Sequence, residues 1–292
     1  MGKDSDLIDL DAASSALRVG PFFTLADVDP DAAPGFPKTK GSGKDLGEDL
    51  FDDRDDEITD LQERMYARAR ADDPDAPALL VVLQGMDAAG KGGIIRHVFG
   101  TVDPQGLHIA SFKRPTAEEL SHDFLWRIRK RLPAPGTIGI FDRSHYEDVL
   151  IQRVRKMAPP EEIERRYGAI AEFESDLANS GTRILKFMLH VGRDEQEERL
   201  LERIERRDKH WKYNPGDVDE RLRWDDYTAA YQAVLDRTST PHAPWYAVPA
   251  DRKWFARLAV TELLLDALES LDLSWPEADF DVAAEIARLE NS

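Results

Sequence analysis

Five short apolar runs stand out from an otherwise polar chain: ALLVVLQ ending at Gln84, 107-LHIASF-112, 137-TIGIFD-142, 183-RILKFMLH-190 and 245-WYAVP-249. Each is short, apolar at nearly every position and rich in branched or aromatic residues, so each reads as a strand buried on both faces. The stretches between them repeat apolar residues at helical spacing. This alternation predicts an α/β fold, a three-layer αβα arrangement around a parallel sheet. Ahead of the first run, Ile58, Leu61, Met65 and Ala69 recur at helical spacing, so a helix from about Asp56 should lead into it. No internal repeat of about 20 to 50 residues is present, which argues against a solenoid or a duplicated domain.

Two stretches depart from the alternation. Residues 30-PDAAPGFPKTKGSGKDLGED-49 are rich in Pro, Gly and Asp without a periodic apolar face, and read as an extended arm with little core. Between the fourth and fifth runs, 194-DEQEERLLERIERRDKHWKYNPGD-217 is followed by the helical pattern 218-VDERLRWDDYTAAYQAVLD-236, with Asn214-Pro215-Gly216 as the turn. A helical excursion there suggests a lid over about 194–236. The chain is accordingly divided into a partly extended N-terminal arm (1–55), a main domain (56–275) and a C-terminal helical tail (276–292).

Composition narrows the classes. With 292 residues and 41% hydrophobic content the chain can bury a substantial core. It has no Cys, which excludes disulfides, thiolate metal sites and a cysteine nucleophile. The N-terminus MGKDSDLIDLDAASSALRVG is acidic and unlike a signal peptide, and no apolar run approaches the roughly 18 residues of a membrane span, so a cytoplasmic protein is expected, with no membrane partner. A net charge of -18 argues against nucleic-acid binding. The charge is uneven: residues 79–158 hold 12 Lys and Arg against 8 Asp and Glu, between two acidic flanks. A locally positive field of this kind suits an anionic ligand, although uneven placement by chance would look the same.

Within that region Gly85 to Lys91 fit G-x-x-x-x-G-K, after a strand and before a helix, the context in which backbone N–H groups point at phosphate. Gly85 and Gly90 permit the turn, and Lys91 reaches phosphate as a point charge. Ala88, Ala89, Gly92, Gly93 and Arg96 complete the candidate phosphate-binding positions. Gly92 stands where such loops usually carry the Ser or Thr that holds magnesium. Asp87 offers carboxylate oxygens instead, and Asp142, at the end of the third run, has the position of a second metal-holding carboxylate. Arg143 follows directly; a helix-capping role for Asp142 stays open.

Lys113 and Arg114 follow the second run, at the strand ends where open α/β sheets bind ligands, and are favoured phosphate contacts. The helical cluster around Arg129 reads more simply as a solvated face. In the lid, Arg199, Arg203, Arg206 and His210 would share one stripe of a continuous helix, with Arg207 at its margin. Favourable pairs such as Glu202 with Arg206 would equally make it an ordinary charged helix. No H-E-x-x-H or G-x-S-x-G pattern is present. Trp211, Trp224, Trp245 and Trp254 are expected in core or interface.

Taken in order, GMDAAGKGG, FKRPT, FDRSHYEDVL, ERRDKHWKYNPGD and STPHAPWYAVPADRKWFAR resemble the family-2 polyphosphate kinases over roughly residues 20 to 272. The resemblance implies a P-loop kinase fold with a helical lid, and Mg2+-dependent transfer of phosphate from inorganic polyphosphate to nucleoside mono- and diphosphates. It implies metal binding by Asp87 and Asp142, and phosphate contacts from Lys91, Arg143, Arg203, Arg206, Arg207, Lys209 and Lys212. It also implies a homo-oligomer. The SHYED and KHWKYNPGD wording is most similar to the single-domain subgroup acting on both AMP and ADP. An ATP-dependent nucleotide kinase of the same fold and a nucleotide-regulated binding protein are the alternatives.

Overall fold

The computed structural model describes residues 10–36 and 42–292. All five apolar runs form strands: β1 (Ala78–Gly85), β2 (Leu107–Ser111), β3 (Ile138–Asp142), β4 (Thr182–His190) and β5 (Trp245–Pro249). They make one parallel sheet in the order β2-β3-β1-β4-β5, with β1 at the centre. Every residue of β1 is buried, as a two-sided environment requires. Its side chains divide by strand alternation: Leu79, Val81 and Leu83 join the core on one face, and Leu80 and Val82 join the core on the other.

The first face is covered by helices Ser42–Asp53, Asp55–Arg70, Lys91–Val98 and Lys253–Glu269. The second is covered chiefly by Pro160–Asn179 and Trp224–Thr238. The result is the expected three-layer αβα architecture. Strand register places Leu83 beside Asp142 and Gly85 beside Leu189, so the segments that follow β1, β3 and β4 emerge together at one end of the sheet.

The structure refines the expectations at four points. The 30–49 segment is not a bare extended arm: residues 37–41 lie outside the described residues, but helix Ser42–Asp53 packs on Lys253–Glu269, and Phe36 is buried 5.2 Å from the Trp254 ring. Gly47 is what lets the helices approach, since a Cβ there would meet the Trp254 ring at 2.5 Å. The excursion over 194–236 is divided: Arg193–Glu205, the turn Arg207–Lys212 and Gly216–Arg221 stand over the sheet end, whereas Trp224–Thr238 buries Ala230, Tyr231, Val234 and Leu235 in the core. Trp211, expected in core or interface, is 79% exposed in the single chain and so is not core. The 276–292 segment is helical only over Val282–Glu290, where Asp281 accepts from Ala284 N and no residue is buried. Among the described residues no helix is long and apolar enough to cross a membrane.

Candidate active site at the phosphate loop

β1 ends at Gly85 with φ +154°, where a Cβ would lie 2.8 Å from the Leu189 carbonyl oxygen, so the strand can turn away only without a side chain. Ala88 (φ +61°) and Gly90 (φ +115°) complete the turn, and Lys91 starts a helix whose N-terminal amides face the sheet end. The planar trans peptide makes the carbonyls as informative as the amides. Those of Asp87, Ala88 and Ala89 are held from behind: Gln196 Nε2 donates to Asp87 O (2.8 Å), and Arg199 Nη1 donates to Ala88 O (3.0 Å) and Ala89 O (3.1 Å). The N–H groups of Ala88 and Gly90 are thereby turned to the other side. Lys91 Nζ rests on the loop itself, donating to Gly85 O (2.6 Å) and Met86 O (3.3 Å). Burial pushes its pKa down, opposed by Asp87, Asp142 and Glu147.

Arg143 sits in the left-handed region (φ +63°), a conformation that costs a non-glycine residue about 1–3 kcal/mol. Its N–H donates to Leu83 O (3.2 Å), and its Nη2 donates to Asp87 Oδ1 (3.1 Å). The strained backbone thus aims the guanidinium across β1 onto the loop. Burial opposes that charge, but Glu147, Asp87 and Asp142 outweigh it and hold Arg143 protonated. Asp142, at the end of β3, accepts through its side chain, among the described residues, only a 3.4 Å bond from Ser111 Oγ. With Gln84 oriented so that its oxygen accepts from Ser144, its amide nitrogen donates to Glu147 Oε1 at 3.2 Å. Burial raises the Glu147 pKa, with Arg143 and Lys91 acting against the rise.

The loop separates two cavities of opposite character. One is lined by Ala88, Ala89, Gly90 and Gly93 together with Arg199, Arg203, Lys209, Lys212, Lys253 and Arg257, against a single acid, Glu202. The other lies beneath Gly216–Arg221 and presents Asp87, Glu147 and Asp217 with Arg143, Tyr227 and Tyr231. Burial and then Asp87 raise the Asp217 pKa, while Arg203 opposes them through a 3.3 Å contact. Burial and the bond to Glu220 (2.7 Å) keep the Tyr227 phenol protonated, and burial does the same for Tyr231. This second cavity therefore offers two neutral aromatic rings beside two guanidinium groups, Arg143 and Arg221, and several carboxylates.

Of the residues singled out from sequence, Gly85, Asp87, Ala88, Ala89, Gly90, Gly93, Arg143, Arg203, Lys209 and Lys212 line these cavities, whereas Lys91, folded onto Gly85 O, and Asp142, beside Ser111, line neither. Gly92 lies on the same first helical turn with open space where a Cβ would be. Lys113, Arg114, Arg96, Arg206 and Arg207 line neither cavity. Arg206 is occupied at the surface by Glu202 (3.0 Å) and Asp208 (2.7 Å). The stripe of lid cations is not formed, because the helix ends at Glu205 and the chain turns away at Arg206. Arg199 is structural, only 7% exposed, its guanidinium spent on the loop carbonyls, on Ala250 O (2.6 Å) and on Asp251 O (3.1 Å). Truncating it, as Arg199→Ala, should destabilise the protein by about 2–3 kcal/mol in a denaturant titration, since buried carbonyls are left without donors.

Glu147, Lys253 and Arg257 were not selected from sequence, although they lie inside the FDRSHYEDVL and ADRKWFAR segments. The motif segments themselves are the sequence signal for these three charges. Among the described residues no group of three or more His, Asp and Glu side chains converges as a metal cage. The chemistry of the donors nonetheless fits a hard divalent cation of the magnesium kind, which keeps several waters and is commonly bound through one or two carboxylates plus substrate phosphate. Asp87, within the loop, and Asp142, at the end of β3, both act on the charges of Lys91 and Arg143.

A parallel sheet with a phosphate loop after its central strand, an acidic residue ending the neighbouring strand and a cationic helical cap define a P-loop kinase. The chain belongs to the polyphosphate kinase 2 family, whose sequence profile matches residues 48–275. It is 42% identical over 257 residues to an AMP/ADP-polyphosphate phosphotransferase of Meiothermus ruber, spanning 88% of this chain and 92% of that one. It is 46% identical over 232 residues to an ADP-polyphosphate phosphotransferase of Rhodopseudomonas palustris, spanning 75% and 78%. The crystal structure of polyphosphate kinase 2 from Arthrobacter aurescens superposes with a TM-score of 0.92 at 52% identity, covering 96% of this chain and 97% of that chain.

Proposed function

We propose that the chain transfers the terminal phosphoryl group of inorganic polyphosphate to ADP, and also to AMP, with magnesium. The observation that carries this reading is the pair of cavities on either side of one phosphate loop. A repeating polyanion needs several cations along its length and no pocket for a base, which matches the cavity of Arg203, Lys209, Lys212, Lys253 and Arg257. A nucleotide needs an aromatic wall and a cation for its phosphate, which matches Tyr227, Tyr231 and Arg143. The acceptor identities follow the names of the Meiothermus and Rhodopseudomonas relatives.

In this arrangement the loop amides and Lys91 hold the terminal phosphoryl group, and Arg143 holds the acceptor phosphate opposite it. An acceptor phosphate oxygen, already ionised near neutral pH, forms the new P–O bond. The bond to the polyphosphate chain breaks, and the shortened chain leaves with that electron pair. No protein base is required, so positioning and charge neutralisation are the protein's contribution. Asp87 and Asp142 would hold magnesium, which supplies further neutralisation of phosphate charge when bound. Lys113 and Arg114 line neither cavity and are assigned no contact in this arrangement.

The test is direct: purified protein with ADP, long-chain polyphosphate and magnesium, and no other donor, should form ATP. With AMP it should form ADP. Absence of product with polyphosphate, together with phosphorylation of AMP by ATP, would favour an ATP-dependent nucleotide kinase instead.

A further inference from the structure

The helix Arg193–Glu205 touches both cavities through side chains on one face. Gln196 is 2% exposed and bonds in two directions: Nε2 donates to Asp87 O at 2.8 Å, and Oε1 accepts from Arg221 Nη1 at 3.0 Å. The orientation is unambiguous, because a carbonyl can only accept and a guanidinium can only donate. Two helical turns on, Arg203 lines the basic cavity while its Nη1 donates to Asp217 Oδ2 at 3.3 Å. Arg221 and Asp217 both belong to Gly216–Arg221, which forms a wall of the other cavity. Arg221 is further fixed by Arg193 O (2.6 Å) and Glu197 Oε2 (2.5 Å), so it ties that wall to the long helix.

The Asp87 carbonyl and the Ala88 N–H belong to one rigid peptide unit. A phosphate group drawn to the Ala88 N–H therefore fixes the carbonyl that Gln196 reads, and Gln196 fixes Arg221. We infer that Gln196 is a positioning residue that couples occupancy of the cationic cavity to the shape of the acidic and aromatic one; this rests on the function proposed above. Anion binding on the loop side then prepares the wall for the nucleotide, and by linkage the nucleotide strengthens anion binding by the same factor.

Calorimetric titration of ADP, with and without saturating methylenediphosphonate as a non-transferable anion for the loop, tests the coupling. In the unchanged protein ADP should bind at least about five-fold more tightly with the anion present, within the usual range for coupled sites. In Gln196→Leu each ligand should still bind, with the ratio of ADP affinities falling close to one. Arg221→Met should give the same loss of coupling from the lid side, and carries the test if the buried Gln196 variant does not fold. A ratio that persists in either folded variant, or that is already near one in the unchanged protein, overturns the inference and leaves the proposed function standing. Failure of the unchanged protein to bind ADP or the diphosphonate at all overturns the proposed function, and this inference with it.

Discussion

Replacing Lys91 by Ala is expected to lower turnover of the proposed phosphoryl transfer by about 10²–10³-fold with the fold intact, the loss typical of removing one group that stabilises developing charge. The structure explains why the two effects separate. Among the described residues the Lys91 ammonium hydrogen-bonds only to the Gly85 and Met86 carbonyls of its own loop, and burial already works against its charge. Its removal therefore relieves a desolvated ammonium group and breaks no contact between distant elements. Asp87→Asn and Asp142→Asn should lower turnover by orders of magnitude as well. Asp87→Asn additionally removes the negative charge 3.1 Å from Arg143, leaving only a neutral amide oxygen there to accept from it. Circular dichroism and a denaturant titration would establish that each variant is folded. ATP formation from ADP and polyphosphate then reads the loss, and near-normal turnover in a folded variant would remove that residue from the machinery.

Replacing Glu174 by Ala should be the most damaging single change to stability, at about 3–5 kcal/mol, because it leaves a buried ammonium group without its charge partner. Glu174 and Lys186 are both fully buried and meet at 2.5 Å. Lys186 also donates to Thr238 O (2.7 Å), while Glu174 accepts from Tyr146 OH (2.8 Å) and pairs with His145 Nε2 (3.1 Å). The cluster therefore joins β4, helix Pro160–Asn179, the turn after β3 and helix Trp224–Thr238. A fall in melting temperature on the order of 10 °C should result. The double variant Glu174→Leu with Lys186→Met should recover most of it, as apolar replacements of buried pairs often do. Little loss in Glu174→Ala would contradict the assignment of a charged pair. Burial alone would raise the Glu174 pKa, but Lys186 and His145 outweigh it and hold the carboxyl below its usual value. Its contribution is therefore full above the ordinary Glu pKa of about 4.3, and is lost as pH falls through the depressed folded value.

Much of this molecule is written locally. The five strands are legible because a strand buried on both faces must be apolar at nearly every position, and Val81, Val82 and Leu83 could hardly lie anywhere else. The phosphate loop is legible because only glycine tolerates the backbone at Gly85 and Gly90, and Asp142 is legible as the polar end of an apolar run. What escaped the sequence is contact between distant segments. Gly47 looked like linker composition until Trp254 was seen to lie against it. Arg199, Arg203 and Arg206 share residue type and charge, yet one is buried behind the loop, one lines a cavity and one pairs at the surface. The chain by itself determined an α/β kinase with its loop, its surplus of lid cations, and carboxylates at Asp87 and Asp142. Only the tertiary structure decided which cations face the loop, that Lys253 and Arg257 join them, and that Glu147 faces Arg143. The reason is physical: periodicity reports how a residue sits in its own element, whereas the work of a charge depends on which carbonyl, carboxylate or cavity another part of the chain brings to it.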